Sequence, residues 1–506
     1  MNGSHESHRP LARIGALALA TTLAALMVPG RAEATNTRVW TLGVMNRFVI
    51  DDANRWLYPH VITKYGNLFY VELYGYGDSL GVAAPDSQRL GRDTPRSMLI
   101  DADLTPVQAN AGGGVILGIT DDLFVSFHLS DYENPVVRNF LEQDLASVSQ
   151  GNPNAFPWLG GSGPAPRAIS DANRKFDVFA AYNIQDLAAL GLLFSFGSSK
   201  YRYLPNDTDP DILAGDDTLS RADDELGTGE WRVLLSAGLE PTDALAIDAA
   251  FGFALHTITY LPNLRSEILD GGGGFELQGD VRSVIGITEW WELIPAVSFR
   301  MGKLSAADLA SYGSGLTYNN SSPDRSNTNV TDISISMLML DVGLAGHFRP
   351  SDIVQFWGAA GFQLLRTAQQ YDHFSGEDPN AAPPIIRDNP LEYARTARTA
   401  DAFPYLKLGL EARVFSWLDF RGGVVKYLRA DGVNSQAIDD QANQNNRDND
   451  VVQDQPFFDY FIGFAAHYEG FFLDMQLDPN WFKRGPDFLS GSGGDMFING
   501  SLGYRY

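Results

Sequence analysis

Few side chains in this sequence have the types and spacing that catalysis needs. No histidine lies in an HExxH or comparable metal-binding spacing. Hydrolysis would need a serine and a histidine in contact with an orienting third group, and Ser126 and His128 form one such pair. Polar residues lining an interior are the simpler interpretation of both. We therefore expect no enzyme activity, no catalytic residue and no cofactor.

An acidic segment offers a partial match to a calcium-binding loop. Asp207, Asp209 and Asp211 repeat the alternating carboxylates with which an EF-hand loop begins. Ile212 stands where that loop needs glycine, and Thr218 stands where it needs a bidentate glutamate. The alternative is a solvated loop with weak divalent bridging to lipopolysaccharide. We expect no specific metal site, and the absence of cysteine excludes thiolate ligands and disulfides.

Charged residues alternate with apolar ones in one segment after another. In residues 275–285 one parity is apolar or small, and the other carries charges and an amide; residues 404–414 repeat the pattern. A period of two predicts β-strands with one apolar and one polar face. The charges that we expect on the polar, inward face are Glu72, Lys175, Asp177, Glu230, Arg232, Asp248, Glu276, Asp280, Arg282, Glu292, Arg300, Lys407, Glu411, Arg413, Asp419, Arg421, Asp459, Asp474 and Arg505.

These strands are ordered as seven hairpins with very short turns, separated by long polar connections. One strand precedes the hairpins and one follows them. Strict alternation of short and long connections predicts an all-β fold, a transmembrane antiparallel β-barrel of sixteen strands, with fourteen as the alternative. Short turns would face the periplasm and long loops the exterior. The predicted strands are 66–75, 113–120, 123–130, 175–183, 188–197, 230–239, 244–260, 275–286, 291–303, 336–348, 353–366, 403–414, 418–428, 456–468, 471–478 and 497–506.

Two further patterns agree with a barrel, and one segment departs from regular alternation. Residues 497–506 alternate strictly, and they resemble the C-terminal strand of bacterial outer-membrane β-barrels. In residues 331–348 the apolar phase is inconsistent, and either a bulge or a strand extending beyond the membrane would reconcile it. Aromatic rings gather near the expected turns and predict a periplasmic girdle of Tyr182, Trp231, Trp290, Trp291, Trp417, Tyr468 and Phe471.

The N-terminus has the pattern of a targeting sequence. Arg9 and Arg13 precede an apolar run from residue 14 to residue 28, and Ala32-Glu33-Ala34 supplies a small-residue cleavage site. We expect a signal peptide at residues 1–34. The net charge of −25 argues against nucleic acid as a partner, because phosphates need a basic surface.

Residues 35–65 precede the first strand and do not alternate. They carry Leu42-Gly43, Asp51-Asp52, Asn54 and Tyr58-Pro59. This segment resembles the N-terminal region of the long-chain fatty-acid transporter family of outer-membrane proteins. That family has a Gly-rich start, a paired acidic motif and an Asn-Pro-Ala signature inside a fourteen-stranded barrel. Here Tyr58 and His60 replace the Asn and the Ala.

The resemblance implies that residues 35–65, called the hatch below, lie in the lumen and that the substrate is hydrophobic; without it, the expected cargo is small polar solutes. The strand pattern places the barrel in residues 66–506. Local turn capping is the alternative role for Asp51 and Asp52.

The sequence thus predicts an outer-membrane channel for passive uptake of small molecules, gated by the hatch, in a Gram-negative bacterium with the long loops extracellular. The alternative is a surface-interaction or structural barrel with a closed lumen and acidic partner-binding loops. Expected partners are outer-membrane lipid, lipopolysaccharide and a small-molecule solute, with the chain a homotrimer or a monomer. The expected substrate path is Asp51, Asp52, Asn54, Glu276, Asp280, Arg282, Arg300, Lys407, Glu411 and Arg413.

Overall fold

A computed structural model of the protein describes residues 36–43, 45–74, 111–130, 168–170, 174–184, 187–203, 224–261, 269–311, 328–376, 392–439, 447–454, 457–477 and 497–506. The expected signal peptide and the calcium candidate Asp207, Asp209 and Asp211 lie outside the described residues.

The described strands form one closed antiparallel sheet. Closure follows from β1, which pairs with β2 on one side and with β18 on the other. Among the described residues there are eighteen strand segments, but β4 and β5 both pair with β6, and β15 and β16 both pair with β14. Each of these pairs is one interrupted strand, so the barrel has sixteen strands, as predicted. The segments are β1 (Leu68–Tyr74), β2 (Ala111–Gly118), β3 (Leu123–Ser130), β4 (Ala168–Ser170), β5 (Arg174–Ile184), β6 (Ala188–Tyr203), β7 (Asp224–Thr242), β8 (Leu245–Leu261), β9 (Leu269–Thr288), β10 (Trp291–Ser311), β11 (Thr328–Phe348), β12 (Val354–Gly376), β13 (Glu392–Phe415), β14 (Leu418–Asp439), β15 (Arg447–Asp454), β16 (Phe457–Tyr468), β17 (Phe471–Leu477) and β18 (Phe497–Arg505).

The two faces of the sheet differ in polarity as the alternation predicts. On β13 the side chain of Leu408 is 60% exposed on the outside, whereas its neighbour Lys407 is 1% exposed on the inside. A closed sheet pairs its backbone groups internally, and an outer face of this kind matches lipid rather than water. The chain is therefore built as a membrane-spanning β-barrel.

Several strands are longer than the apolar alternation indicates. The predicted connection 367–402 is largely strand, because β12 continues to Gly376 and β13 begins at Glu392. Residues 392–402 are mostly charged residues, threonine and alanine. These residues pair through main-chain hydrogen bonds. Neither face of this part of β13 is apolar, so no alternation marks it as a strand. β13 has 24 residues, more than the roughly 10 that cross a bilayer, so its loop-side half extends beyond the membrane.

The phase conflict in residues 331–348 has a simple resolution. Leu338 and Leu344 face outward, while Met339 and Asp341 are buried on the inside. The pairing of β11 with β12 runs without a register shift, and the register shift in the pairing with β10 lies at Ala306–Leu309. β11 has 21 residues, so the long strand, the other expected explanation, accounts for this segment. Met339 fills an inward position beside Gln363.

Most of the expected girdle aromatics lie on the outer face beside short turns. Trp231 also lies on the outer face, but far from a turn. Because β7 begins at Asp224 and ends at Thr242, Trp231 lies well away from the turn. Its ring packs on that of Phe196, with the centroids 4.5 Å apart.

The hatch folds into three short helices before β1. Asp51 caps the second helix by accepting the Ala53 N–H at 2.8 Å, and Pro59 begins the third, where its fixed φ suits a helix start. Among the described residues, no helix is both long enough and apolar enough to cross a membrane. The helices are α1 (Asn36–Thr41) and the 3₁₀-helices η1 (Asp52–Trp56) and η2 (Pro59–Lys64).

The outward orientation of Leu408 leads to a stability prediction. Leu408→Arg places a charge on the apolar outer face, so we expect a loss of about 2–4 kcal/mol of folding free energy in lipid vesicles. Equilibrium unfolding measures it. The control is Asp352→Arg in an exposed turn, which should change stability little. Equal effects of the two substitutions would contradict the assigned faces.

Candidate functional site

The hatch lies inside the barrel and is bonded to walls on opposite sides of it. At its start, the amide nitrogen and the side-chain nitrogen of Asn36 donate to the two carboxylate oxygens of Glu72 on β1, at 3.0 and 2.8 Å. At its far end, Nε2 of His60 lies 2.8 Å from Asp248 on β8. The segment therefore has its two ends bonded to inward-facing side chains of β1 and β8.

A buried charge cluster anchors α1. Nε of Arg38 donates to Glu411 on β13 at 2.8 Å, and Arg421 on β14 donates to the same carboxylate at 2.7 Å. Arg421 also donates to Asp474 on β17 at 2.7 Å. Arg38 further lies 3.6 Å from Asp51 within the hatch. Two arginines thus alternate with carboxylates in a site closed to water, where each charge needs its partners.

A second arginine of the hatch contacts the wall at β11. Arg47 lies 2.8 Å from Asp341 on β11, and Tyr405 on β13 donates to the same carboxylate at 3.0 Å. Apolar residues surround this contact, with Phe48 and Trp357 in one buried cluster.

The predicted acidic pair forms part of a tight turn. Asp51 caps η1, and Asn54 completes the turn by accepting the Asp51 N–H at 3.1 Å. Asp52 accepts from Arg55 at 2.9 Å. Local turn capping is thus one role of Asp51, but both carboxylates are also almost fully buried in the lumen. Burial raises the pKa of Asp51 to about 8 and that of Asp52 to about 7, with the nearby arginines opposing the shift.

A series of hydrogen bonds joins this turn to the wall at β8 and β9. Arg282 on β9 donates to Asn54 Oδ1 at 2.8 Å and to Asp248 at 2.6 Å. Asp248 in turn contacts His60 of η2. Arg282 therefore connects the middle of the hatch with its end.

η2 and the residues before it pack on apolar wall positions. Trp56, Leu57, Tyr58, Val61 and Ile62 share one buried cluster with wall side chains that include Phe179 and Leu234. The wall that faces η2 lies on β3, β5, β6 and β7. η2 is thus held by apolar contact together with the bonds of His60 to Ser236 and Asp248 and the ion pair of Lys64 with Glu240.

The structure brings together some of the expected path residues and separates others. Asp51, Asp52, Asn54, Arg282 and Glu411 meet in the hatch contacts above. Glu276 bonds instead to Arg232 at 3.2 Å, Asp280 accepts from Ser298 at 2.6 Å, Arg300 is paired in register with Gln278, Lys407 lies 5.4 Å from the ring of Tyr405, and Arg413 bonds to Asp419 at 3.2 Å beside a turn.

Three important residues were missed from the sequence. Arg38 and Arg47 lie in a segment without periodicity, and Asp341 lies where the strand phase is inconsistent. The signal that could have found them is charge, because the hatch is basic and the wall is predicted to carry inward acidic residues.

The suggested hydrolase pair does not assemble. His128 Nδ1 lies 2.8 Å from the hydroxyl of Tyr70, and Ser126 Oγ has no hydrogen-bond partner among the described residues. His60 does lie between Asp248 and Ser236, but Ser236 Oγ also accepts the backbone N–H of His60 at 2.9 Å. This serine therefore holds the backbone of η2. In the described ranges, no three or more acidic or histidine side chains group as metal ligands would.

Comparison with known proteins gives only distant likenesses. No family model matches the chain, and no curated protein matches it. The Pseudomonas putida toluene transporter TodX matches at a TM-score of 0.33 and 9% identity, over 93% of this chain and 96% of that chain. The ferric-catecholate import receptor Fiu of E. coli K12 matches at 0.35 and 9%, over 78% and 72%. CdiB from Escherichia coli matches at 0.38 and 10%, over 87% and 62%.

The α1 cluster leads to a prediction about hatch docking. Glu411→Gln leaves Arg38 and Arg421 beside a neutral amide, and breaking a buried pair costs about 3–5 kcal/mol. We expect trypsin to cleave after Arg38 and Arg47 much faster in this variant. Fragment analysis of the protein in vesicles measures the rate.

The matched control for Glu411→Gln breaks an ion pair that water reaches. Asp401→Asn removes the partner of Arg366, whose side chain is 45% exposed. Such pairs contribute about 1 kcal/mol or less, so cleavage in the hatch should stay at the parent rate. Equal acceleration in both variants would mean that the α1 cluster does not hold the hatch.

The raised pKa of Asp51 predicts that docking depends on pH. A carboxyl with a raised pKa in the docked state stabilises docking fully below its ordinary pKa, and this contribution is lost as pH rises toward 8. We expect hatch cleavage by trypsin to increase from pH 6 to pH 9. Asp51→Asn keeps an oxygen for the Ala53 N–H and removes the titration, so its profile relative to the parent should be flatter. Parallel profiles would contradict the prediction.

Proposed function

We propose that the chain is an outer-membrane channel for passive movement of small solutes, closed by its own hatch. The observation that carries the proposal is the hatch itself, which crosses a closed barrel and is bonded to β1, β8, β11 and β13. An internal segment that fills a lumen through side-chain contacts can be displaced without opening the sheet.

The hatch contacts lie in the turn half of the barrel. Glu411 lies near the end of β13 at Phe415, and Asp474 lies near the start of β17 at Phe471. Short turns face the periplasm in outer-membrane barrels. The hatch would then close the periplasmic half, leaving the loop-side half as a vestibule.

The wall toward the loop side favours polar solutes over hydrophobic ones. Arg232 donates to Glu230 at 2.8 Å, to Gln278 at 2.7 Å and to Glu276 at 3.2 Å. A hydrophobic molecule moving along this wall would have to displace water from charged groups, which is costly. Paired charges of both signs favour small polar solutes with little ion selectivity. The hydrophobic cargo implied by the family resemblance is therefore the less favoured version.

A second candidate function is a barrel with a permanently closed lumen that binds partners through its acidic loops. The observation in its favour is the extent of hatch docking, which combines buried ion pairs with two apolar clusters. The two candidates differ in whether the hatch ever leaves its seat.

Deletion of the hatch distinguishes the two candidate functions. Sheet closure between β1 and β18 uses no hatch residue, so a variant lacking residues 36–65 should still form the barrel. We expect a severalfold rise in planar-bilayer conductance over the full chain, together with liposome swelling in small neutral polyols. Heat-modifiable gel mobility verifies folding of both forms. A folded deletion variant without current would abandon the channel and favour the closed barrel.

A further inference from the structure

A cavity of about 190 Å³ lies between η2 and the barrel wall, beside the short turns of β5–β8. This is room for on the order of six water molecules. From the hatch it is lined by His60, Thr63 and Lys64, and from the wall by Asn183, Leu187, Ala188, Ala189, Gly238, Glu240 and Asp248. The cavity is therefore a gap in the seam where the hatch meets the wall.

Strand register explains why the gap exists. Asn183, Ala189, Gly238 and Asp248 are directly paired across β5, β6, β7 and β8, so they form one inward row. The two middle members have almost no side chain. The His60 ring lies over Gly238, and the space in front of Ala189 stays unfilled.

The cavity is polar at both ends and apolar between them. Lys64 and Glu240 form an ion pair at the mouth, with about half of each side chain exposed. His60 and Asp248 form the inner end, and Arg282 continues from Asp248 to Asn54 in the middle of the hatch. An ion of either sign would meet a like charge at each end, whereas a neutral hydrogen-bonding molecule would find donors and acceptors.

His60 closes the inner end against the wall. A side chain at Gly191 or Gly238 would collide with His60, which shows how closely the residue is seated. Its backbone N–H is held by Ser236 Oγ at 2.9 Å. Passage beyond the cavity therefore requires η2 to move away from β6 and β7.

We propose that the seam between η2 and β5–β8 is the exit to the periplasm, and that it passes small, uncharged, hydrogen-bonding solutes when η2 separates from the wall while α1 stays in place. This inference rests on the proposed channel function and deepens it. α1 is anchored by the Arg38–Glu411–Arg421–Asp474 cluster, which spans three strands. η2 has apolar packing, bonds of His60 to Asp248 and Ser236, a half-exposed Lys64–Glu240 ion pair and a cavity already beside it.

Two disulfide locks test which part of the hatch must move. The chain has no cysteine, so an introduced pair can only bond with itself. His60→Cys with Ser236→Cys ties η2 to β7, where Ser236 Oγ lies 3.0 Å from the His60 ring. Thr37→Cys with Ser501→Cys ties α1 to β18, where the two hydroxyl oxygens lie 2.6 Å apart. Conductance is measured before and after reduction, with bond formation verified by mass.

We expect the η2 lock to remove more than half of the conductance and reduction to restore it, with the α1 lock leaving it near the parent value. Loss of current with the α1 lock alone, or an η2 lock without effect, would overturn the seam exit and leave the channel standing. A parent and a hatch-deleted chain that both carry no current would overturn the proposed function, and the inference with it.

A labelling experiment supplies a second measurement that needs no disulfide. In Ala189→Cys the thiol lines the cavity, and a bulky thiol reagent added from the turn side should label it and reduce conductance. Asn183→Cys is a second cavity position, and Asp352→Cys in an exposed turn of β11–β12 is the control. Labelling at residue 189 or 183 without loss of current, or no labelling at either, would contradict an exit at this seam.

Discussion

The structure depends on one constraint, which is that a closed sheet assigns every side chain to lipid or to lumen by parity. Once β1 pairs with both β2 and β18, Leu408 must face out and Lys407 must face in. Charges then accumulate in an enclosed space, where each one needs a partner or water. The wall meets part of this need by itself, as Arg232 does with Glu230 and Glu276. The hatch meets much of the rest.

The hatch is suited to this lumen because its charge complements that of the wall. Its basic residues are Arg38, Arg47, Arg55 and Lys64, against the two acids Asp51 and Asp52. Arg38 and Arg47 reach wall acids on β13 and β11, and Lys64 reaches Glu240 at the rim. Removing an arginine of the hatch would leave a wall carboxylate buried without that partner. Docking of the hatch and stability of the lumen are therefore coupled.

The fold was predictable wherever burial differs between the two faces of a strand, and hidden where it does not. Within the membrane, alternation such as that around Glu276 and Arg282 gave the faces and the strand number. Beyond it, both faces of β13 meet water, so residues 392–402 carry no periodic signal although they pair as strand. The partners within the lumen were also beyond sequence reasoning. Parity places Glu411 inside, but its partner depends on how a non-periodic hatch folds.

The two ends of the hatch are held by different interactions. This difference supports the proposed release of η2 alone over release of the whole hatch. In the α1 cluster Glu411 lies between Arg38 and Arg421, and separating these charges before water can hydrate them costs free energy, which keeps α1 in place. Apolar contacts such as Val61 and Ile62 on the wall weaken in proportion to the area uncovered, so η2 can slide away in steps. The cavity in front of Ala189 lowers the first step further, since part of the seam is already without contact. In the proposed opening, α1 stays anchored while η2 leaves its wall contacts and returns to them.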